Sequence, residues 1–287
     1  MSLSSTQPPQ LHRLAAFTSH ADGGNPAGVW VGEALPEAAA MQRLATAVGF
    51  SETVFLSPQH GPQRQVRYFS PAGEVPFCGH ATIAAAVLLA ETGPGRDFVF
   101  HTPVGAVPVR VAEREGVLQA SLTSVEPRQA PAADALVAAA LEALGWQAAE
   151  LDPALPPMKA YAGAWHLVLA AATAERLARL QYAFKPLKAL MQREDLLTLQ
   201  LVWRQDRQLF HSRNPFPVGG VVEDPATGSA AAALGGYLRA AGLIPVPTTL
   251  EIRQGEAMGR PSQLLVTVPA TGGIVVSGGA VRLPAAD

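Results

Sequence analysis

The chain has 287 residues, 48% of them apolar and only 15% charged, enough apolar residues for one large domain or two of middling size. Its 21 Lys and Arg against 23 Asp and Glu leave a net charge of −2, which gives no electrostatic grip on nucleic acid or an anionic membrane. The single cysteine excludes a disulfide framework, a thiolate-rich zinc site and an iron–sulfur cluster.

From the N-terminus, MSLSSTQPPQ is polar and lacks the basic start and apolar run of a signal peptide, so residues 1–10 read as a loose tail. No run of about 20 apolar residues follows that would span a bilayer, and a cytoplasmic setting is expected. Short apolar or alternating runs bounded by Gly, Pro or Ser read as strands at 11–17, 65–70, 106–112, 117–122, 198–204, 208–212, 249–254, 264–268 and 274–278. Helices are expected at 36–49 and 133–145, each stopping at a glycine, and at 174–192 with a break at Pro186.

Two further helices, 81–93 and 229–242, are apolar nearly all round. A helix with no polar face and too short to cross a membrane belongs inside a protein. Each follows a glycine turn, at Gly79 and at Gly228, and each stops at a glycine, Gly93 or Gly242, suited to a left-handed cap. Upstream, RYFS (67–70) matches LFHS (209–212), and LHRLAAF (11–17) is paired with WHLVLA (165–170). The recurrence predicts an α+β fold of two pseudo-symmetric domains, 1–126 and 127–287, each a barrel-like sheet around one buried helix.

Chemistry is expected at the starts of those two helices. The first turn of a helix leaves N–H groups unpaired and carries partial positive charge, which suits a carboxylate. By this reading Gly79 and His80 at one end, and Gly228, Ser229 and Ala230 at the other, bind a small anion across a domain cleft. No lysine follows the glycine as a phosphate loop would require. Glu52, between a helix stop and an apolar strand, is a candidate acid/base whose pKa apolar surroundings would raise, or a solvated turn residue. His80 reads as a second proton group or a cap, and Asp224 likewise. Cys78 is either a small buried residue or a proton-transfer thiol. The seven histidines include no pair at i, i+4, and no metal or cofactor is expected.

The segments GGNPAGVWV (23–31), FSETVFL (50–56), RYFSPAGEVPFCGHATIAAAVLL (67–89), EDPATGSAAAALGGYL (223–238) and QGEAMGRPS (254–262) together resemble the phenazine biosynthesis PhzF-like family, relatives of diaminopimelate epimerase. The resemblance implies two barrel domains around central helices, an active site between them and a homodimer. It also implies isomerisation of trans-2,3-dihydro-3-hydroxyanthranilate or a similar small acid. Glu52 would move the proton, His80 and Asp224 would assist, and Gly79, Gly228 and Ser229 would hold the carboxylate. Gly28 stands where such sequences more often carry alanine. The related epimerases work with two cysteines, which the count here excludes. The alternatives are a non-catalytic small-acid binder on the same scaffold and an epimerase acting through Glu52.

Overall fold

A computed structural model describes residues 10–114 and 116–284. The expected tail at 1–10 lies outside the described residues except for Gln10, which opens the first strand. In chain order the elements are β1 (Gln10–Ala16), β2 (Asn25–Val31), α1 (Ala38–Val48), β3 (Glu52–Pro58), β4 (Gln63–Ser70), β5 (Gly73–Val75), α2 (Gly79–Thr92), β6 (Asp97–Thr102), β7 (Gly105–Arg114), β8 (Val117–Thr123) and β9 (Arg128–Pro131). There follow α3 (Asp134–Leu144), β10 (Met158–Tyr161), β11 (Trp165–Ala170), α4 (Ala174–Ala178), α5 (Phe184–Arg193), β12 (Thr198–Arg204), β13 (Leu209–Pro215), β14 (Glu223–Asp224), α6 (Gly228–Ala240), β15 (Thr248–Gln254), β16 (Ser262–Val268) and β17 (Val275–Arg282). Among the described residues no helix is long and apolar enough to cross a membrane.

The described residues form two compact units, one of residues up to 123 together with those from 277 on, the other of residues 124–276. In the first, β1 pairs with β2, β2 runs parallel to β3, β3 pairs with β4, β4 runs parallel to β6, and β6, β7 and β8 continue antiparallel. β17 then joins β8 to β1 and closes an eight-stranded barrel. The sequence-based domain 127–287 therefore loses its last strand to the first unit. That strand satisfies both of its edges there, which a barrel requires of every strand.

The filling of this barrel is α2. From His80 to Leu88 every residue is buried, and the helix packs on β1, β2, β3, β7 and β8. An apolar circumference is explained by burial on all sides. Its expected left-handed stop is corrected: Gly93 has an extended backbone, φ −147°. The chain instead leaves α2 through Gly93-Pro94-Gly95, where proline ends the helical run.

In the second unit β10 pairs with β9 and β11, β11 runs parallel to β12, β12 pairs with β13, β13 runs parallel to β15, and β15 pairs with β16. This is the order of pairings seen in the first unit. α6 packs on β9, β10, β11 and β16, and Ala230 to Leu238 are all buried. Gly235 and Gly236 let the helix lie close to its walls, since a Cβ at 236 would come within 2.3 Å of Pro127. RYFS and LFHS fall in corresponding strands, β4 and β13, but four residues out of step: the pairings with β6 and β15 set Gln63 against Leu209, and so Arg67 against Arg213. WHLVLA forms β11, whose partners match those of β2, so its pairing with LHRLAAF of β1 is off by one strand. The break in 174–192 falls at 179–183, ahead of Pro186, which sits in the first turn of α5 where a missing N–H costs nothing.

Candidate active site

In the first unit three chain segments bring polar groups to the start of α2. The left-handed turn at Gly49, φ 73°, ends α1 and directs Ser51 and Glu52 into β3. Cys78 is the N-cap of α2, Gly79 its first residue and His80 its second. His80 is therefore not a cap, and its ring meets the strand instead. Its Nε2 lies 3.4 Å from Glu52 Oε2 and 3.4 Å from Ser51 Oγ. Its Nδ1 lies 3.3 Å from Asn25 Nδ2 and 3.3 Å from Cys78 Sγ. Burial pushes the His80 pKa down; the Glu52 carboxylate and a ring N–H donated to the Pro26 carbonyl act the other way but do not win. At neutral pH the ring is thus uncharged, with one donor and one acceptor nitrogen.

The first turn of α2 is left open. No side chain of its N-cap bonds to it, and a Cβ added at Gly79 would meet nothing within 4 Å. Protein packing does not explain that glycine, whereas a ligand lying against the backbone would. Gly28 faces Thr53 across β2 and β3, where a Cβ would come within 2.5 Å of the Thr53 hydroxyl. The departure from alanine thus bears on strand packing, one residue away from Glu52.

In the second unit Asp224 and Glu223 form the short strand β14 against β13. They divide their roles. Glu223 is held by both arms of Arg213, at 3.0 and 2.6 Å, which ties its carboxylate to a structural partner. Asp224, also buried, accepts from the Thr227 hydroxyl at 2.6 Å. Thr227, not Asp224, is the N-cap of α6, and its side chain makes no cap bond. Gly228, Ser229 and Ala230 are the next three residues, so Gly79 and Gly228 share the first position, and His80 and Ser229 the second.

Sequence reasoning missed the groups that hold these residues. Gln254 locks the turn before α6, donating to the Asp224 carbonyl at 2.7 Å and accepting from the Thr227 N–H at 3.2 Å. Ser229 Oγ lies 3.1 Å from His166 Nε2, whose Nδ1 is 2.8 Å from Thr198 Oγ1. Asn214 donates to that same hydroxyl at 3.1 Å and accepts from Ser212 at 2.7 Å. Complete burial drives the His166 pKa down to about 3, so it serves this chain as a neutral imidazole. The only sequence signals were a histidine in an apolar strand and a Gln at the head of QGEAMGRPS. The structure thus gathers Glu52, Gly79 and His80 in one unit, and Asp224, Gly228, Ser229 and Ala230 in the other.

The first unit is thus a barrel wrapped on a helix, with a carboxylate and a neutral imidazole, groups able to take and return a proton, at that helix's first turn. The profile of the family described as phenazine biosynthesis-like protein matches residues 14–284. An uncharacterized isomerase of Bacillus subtilis is 28% identical over 93% of this chain and 92% of its own. The trans-2,3-dihydro-3-hydroxyanthranilate isomerase of Pseudomonas aeruginosa is 32% identical over 91% of this chain and 92% of its own. The crystal structure of a PhzF-family phenazine biosynthesis protein from Bacillus anthracis superposes with a TM-score of 0.85 over 97% of this chain and 98% of that one, at 23% identity. The chain belongs to the phenazine biosynthesis-like, PhzF, family and is an enzyme of the isomerase class.

Proposed function

We propose that the protein isomerises a small carboxylate-bearing substrate by carrying one proton between two carbons on one face, with Glu52 as base and then acid. The observation that carries this reading is the Glu52–His80 pair, 3.4 Å apart beside a helix start that no side chain seals. A suprafacial shift needs one group that takes the proton and returns it, and a single carboxylate does both. Neutral His80 orients that carboxylate and adds no positive charge that would make it a weaker base. In the first unit the N–H groups at Gly79 suit the substrate carboxylate; in the second, the first turn of α6, Gly228 to Ala230, is an anion site of the same kind, with Asp224 four residues before it as a candidate acid/base. The two units read as copies of one barrel-and-helix pattern. The relatives named trans-2,3-dihydro-3-hydroxyanthranilate isomerase, at 32% identity, make that compound or a close analogue the first substrate to try.

The test is a paired measurement on Glu52→Gln, which keeps the side chain's shape and removes its basicity. Deuterium wash-in from solvent into trans-2,3-dihydro-3-hydroxyanthranilate should fall ~10²–10⁴-fold, the usual worth of a general acid/base. Affinity should stay within about tenfold, because backbone N–H groups hold the carboxylate. Exchange that survives the substitution removes Glu52 from the role. Label that enters without migration of the double bond makes the protein an epimerase instead, and wild-type binding with neither label nor isomerised product makes it a binder.

A further inference from the structure

We propose that Glu52, Cys78 and His80 together form a three-ligand site for a thiophilic divalent cation, zinc by its chemistry, that competes with the substrate. One oxygen, one sulfur and one nitrogen ligand atom lie within 4.8 Å of one another. His80 Nε2 stands at the centre, 3.4 Å from Glu52 Oε2 and 3.7 Å from Cys78 Sγ. Bonds of 2.0–2.3 Å at tetrahedral angles put N and O ligands roughly 3.3 Å apart and N and S ligands roughly 3.6 Å apart. The Nε2–Glu52 pair already has its spacing, whereas Cys78 Sγ, nearer to Nδ1 at 3.3 Å, lies beside the ring and must change rotamer to reach an ion held on Nε2.

The surroundings fit as well. Nδ1 is supported from behind by the Asn25 amide at 3.3 Å, which presents its oxygen to an Nδ1–H once turned over. A ligating histidine is normally held by such an acceptor on its other nitrogen. Beside Cys78, Gly79 has no Cβ and a Cβ built there would meet nothing within 4 Å, so the protein leaves space on that side for a fourth ligand. Three protein ligands and one open position describe an accessible zinc site rather than a closed structural one. The sulfur and imidazole exclude magnesium and calcium, which take oxygen ligands. Binding replaces the thiol proton of Cys78 by the metal, so each ion bound releases one proton to solvent. The sequence hides this site because positions 52, 78 and 80 lie in two separate segments and make no local metal motif.

The binding claim stands on geometry alone, and the competition claim rests on the proposed function. Reduced protein titrated with cobalt(II) should develop a thiolate-to-metal charge-transfer band that saturates at one ion per chain, and zinc should displace it. Calorimetry with zinc should show one proton released per ion and no binding of magnesium. Cys78→Ser and Glu52→Gln, each with a native circular dichroism spectrum, should weaken zinc binding by more than the ~10–100-fold that losing an outer partner costs. Zinc should raise the apparent KM for trans-2,3-dihydro-3-hydroxyanthranilate without changing kcat, and a chelator should restore it. A wild-type protein that gives no cobalt band, or zinc affinity unchanged in both variants, overturns the site. Turnover unaffected by saturating zinc overturns the competition. A cobalt band in a protein that turns nothing over keeps the site and removes the proposed reaction.

Discussion

At the scale of single residues, the two units treat the second position of their central helix in opposite ways. His80 meets a carboxylate, while Ser229 meets the neutral His166 and through it Thr198, Asn214 and Ser212. The register makes the contrast sharper. Glu52 lies opposite Ala27 at the first pair of β3 with β2, and Thr198 lies opposite His166 at the first pair of β12 with β11. The carboxylate–imidazole pair of one unit is thus matched in the other by hydroxyls bridged by an imidazole. His166 is fully buried and its pKa is lowered to about 3, against 6.5 when exposed. The folded state binds fewer protons than the unfolded state between those values, so the stabilisation is full above pH 6.5 and is lost as pH falls toward 3. At about 1.4 kcal/mol per unit, the loss reaches about 2 kcal/mol by pH 5, before most carboxylates titrate. Urea melts at pH 7 and pH 5 should show that loss in the wild type and a smaller one in His166→Gln, which will be less stable at pH 7. Equal slopes in the two proteins would mean that His166 is not buried neutral. The sequence announced Glu52 and His80 through SET and CGHAT. It could not announce His166, because a buried histidine and an exposed one look alike until tertiary contacts surround them.

At the scale of elements, what was legible was local. An apolar circumference marked α2 and α6 as interior helices, and the glycine turns located their starts to within two residues. The helix does stop at Gly93, but the left-handed cap failed because Pro94 offers a different way out of a helix, and the break near Pro186 failed because proline is tolerated in a first turn. The open first turn of α2 gives a prediction in which stability and binding separate. Alanine at position 79 would touch no other group of the protein within 4 Å. Gly79→Ala should therefore leave stability unchanged or raise it by up to ~1 kcal/mol, since alanine costs less entropy to order in a helix. The same methyl would stand where a carboxylate approaches the Gly79, His80 and Ala81 N–H groups. Affinity for benzoate or anthranilate as simple carboxylate probes should fall by about tenfold or more. A variant that binds the probe as well as wild type would show that the anion does not lie against this turn. A destabilised variant would show that the space is not open.

At the scale of the whole molecule, the least legible feature is the last strand. β17 follows β16 after six residues, and a reading along the chain leaves it with its neighbour. In the structure it lies between β8 and β1, with Ala16 opposite Ala280 and Leu14 opposite Arg282. No local signal encodes a pairing between residues 14 and 282; only closure of the barrel demands it, because an unclosed sheet would leave two unpaired edges. The consequence is testable, because the tryptophans divide by unit: Trp30 lies in the first, and Trp146, Trp165 and Trp203 in the second. Proline at position 280 removes one N–H from a strand paired on both edges, where proline is not tolerated. Losing the bond and fitting the ring should cost the first unit roughly 2–3 kcal/mol. Ala280→Pro should therefore lower the denaturant midpoint reported by Trp30, in a background with the other three tryptophans changed to phenylalanine. It should lower by less the midpoint reported by those three when Trp30 alone is replaced. If β17 instead stabilised the second unit, the order of the two shifts would reverse, and the barrel closure would have to be redrawn.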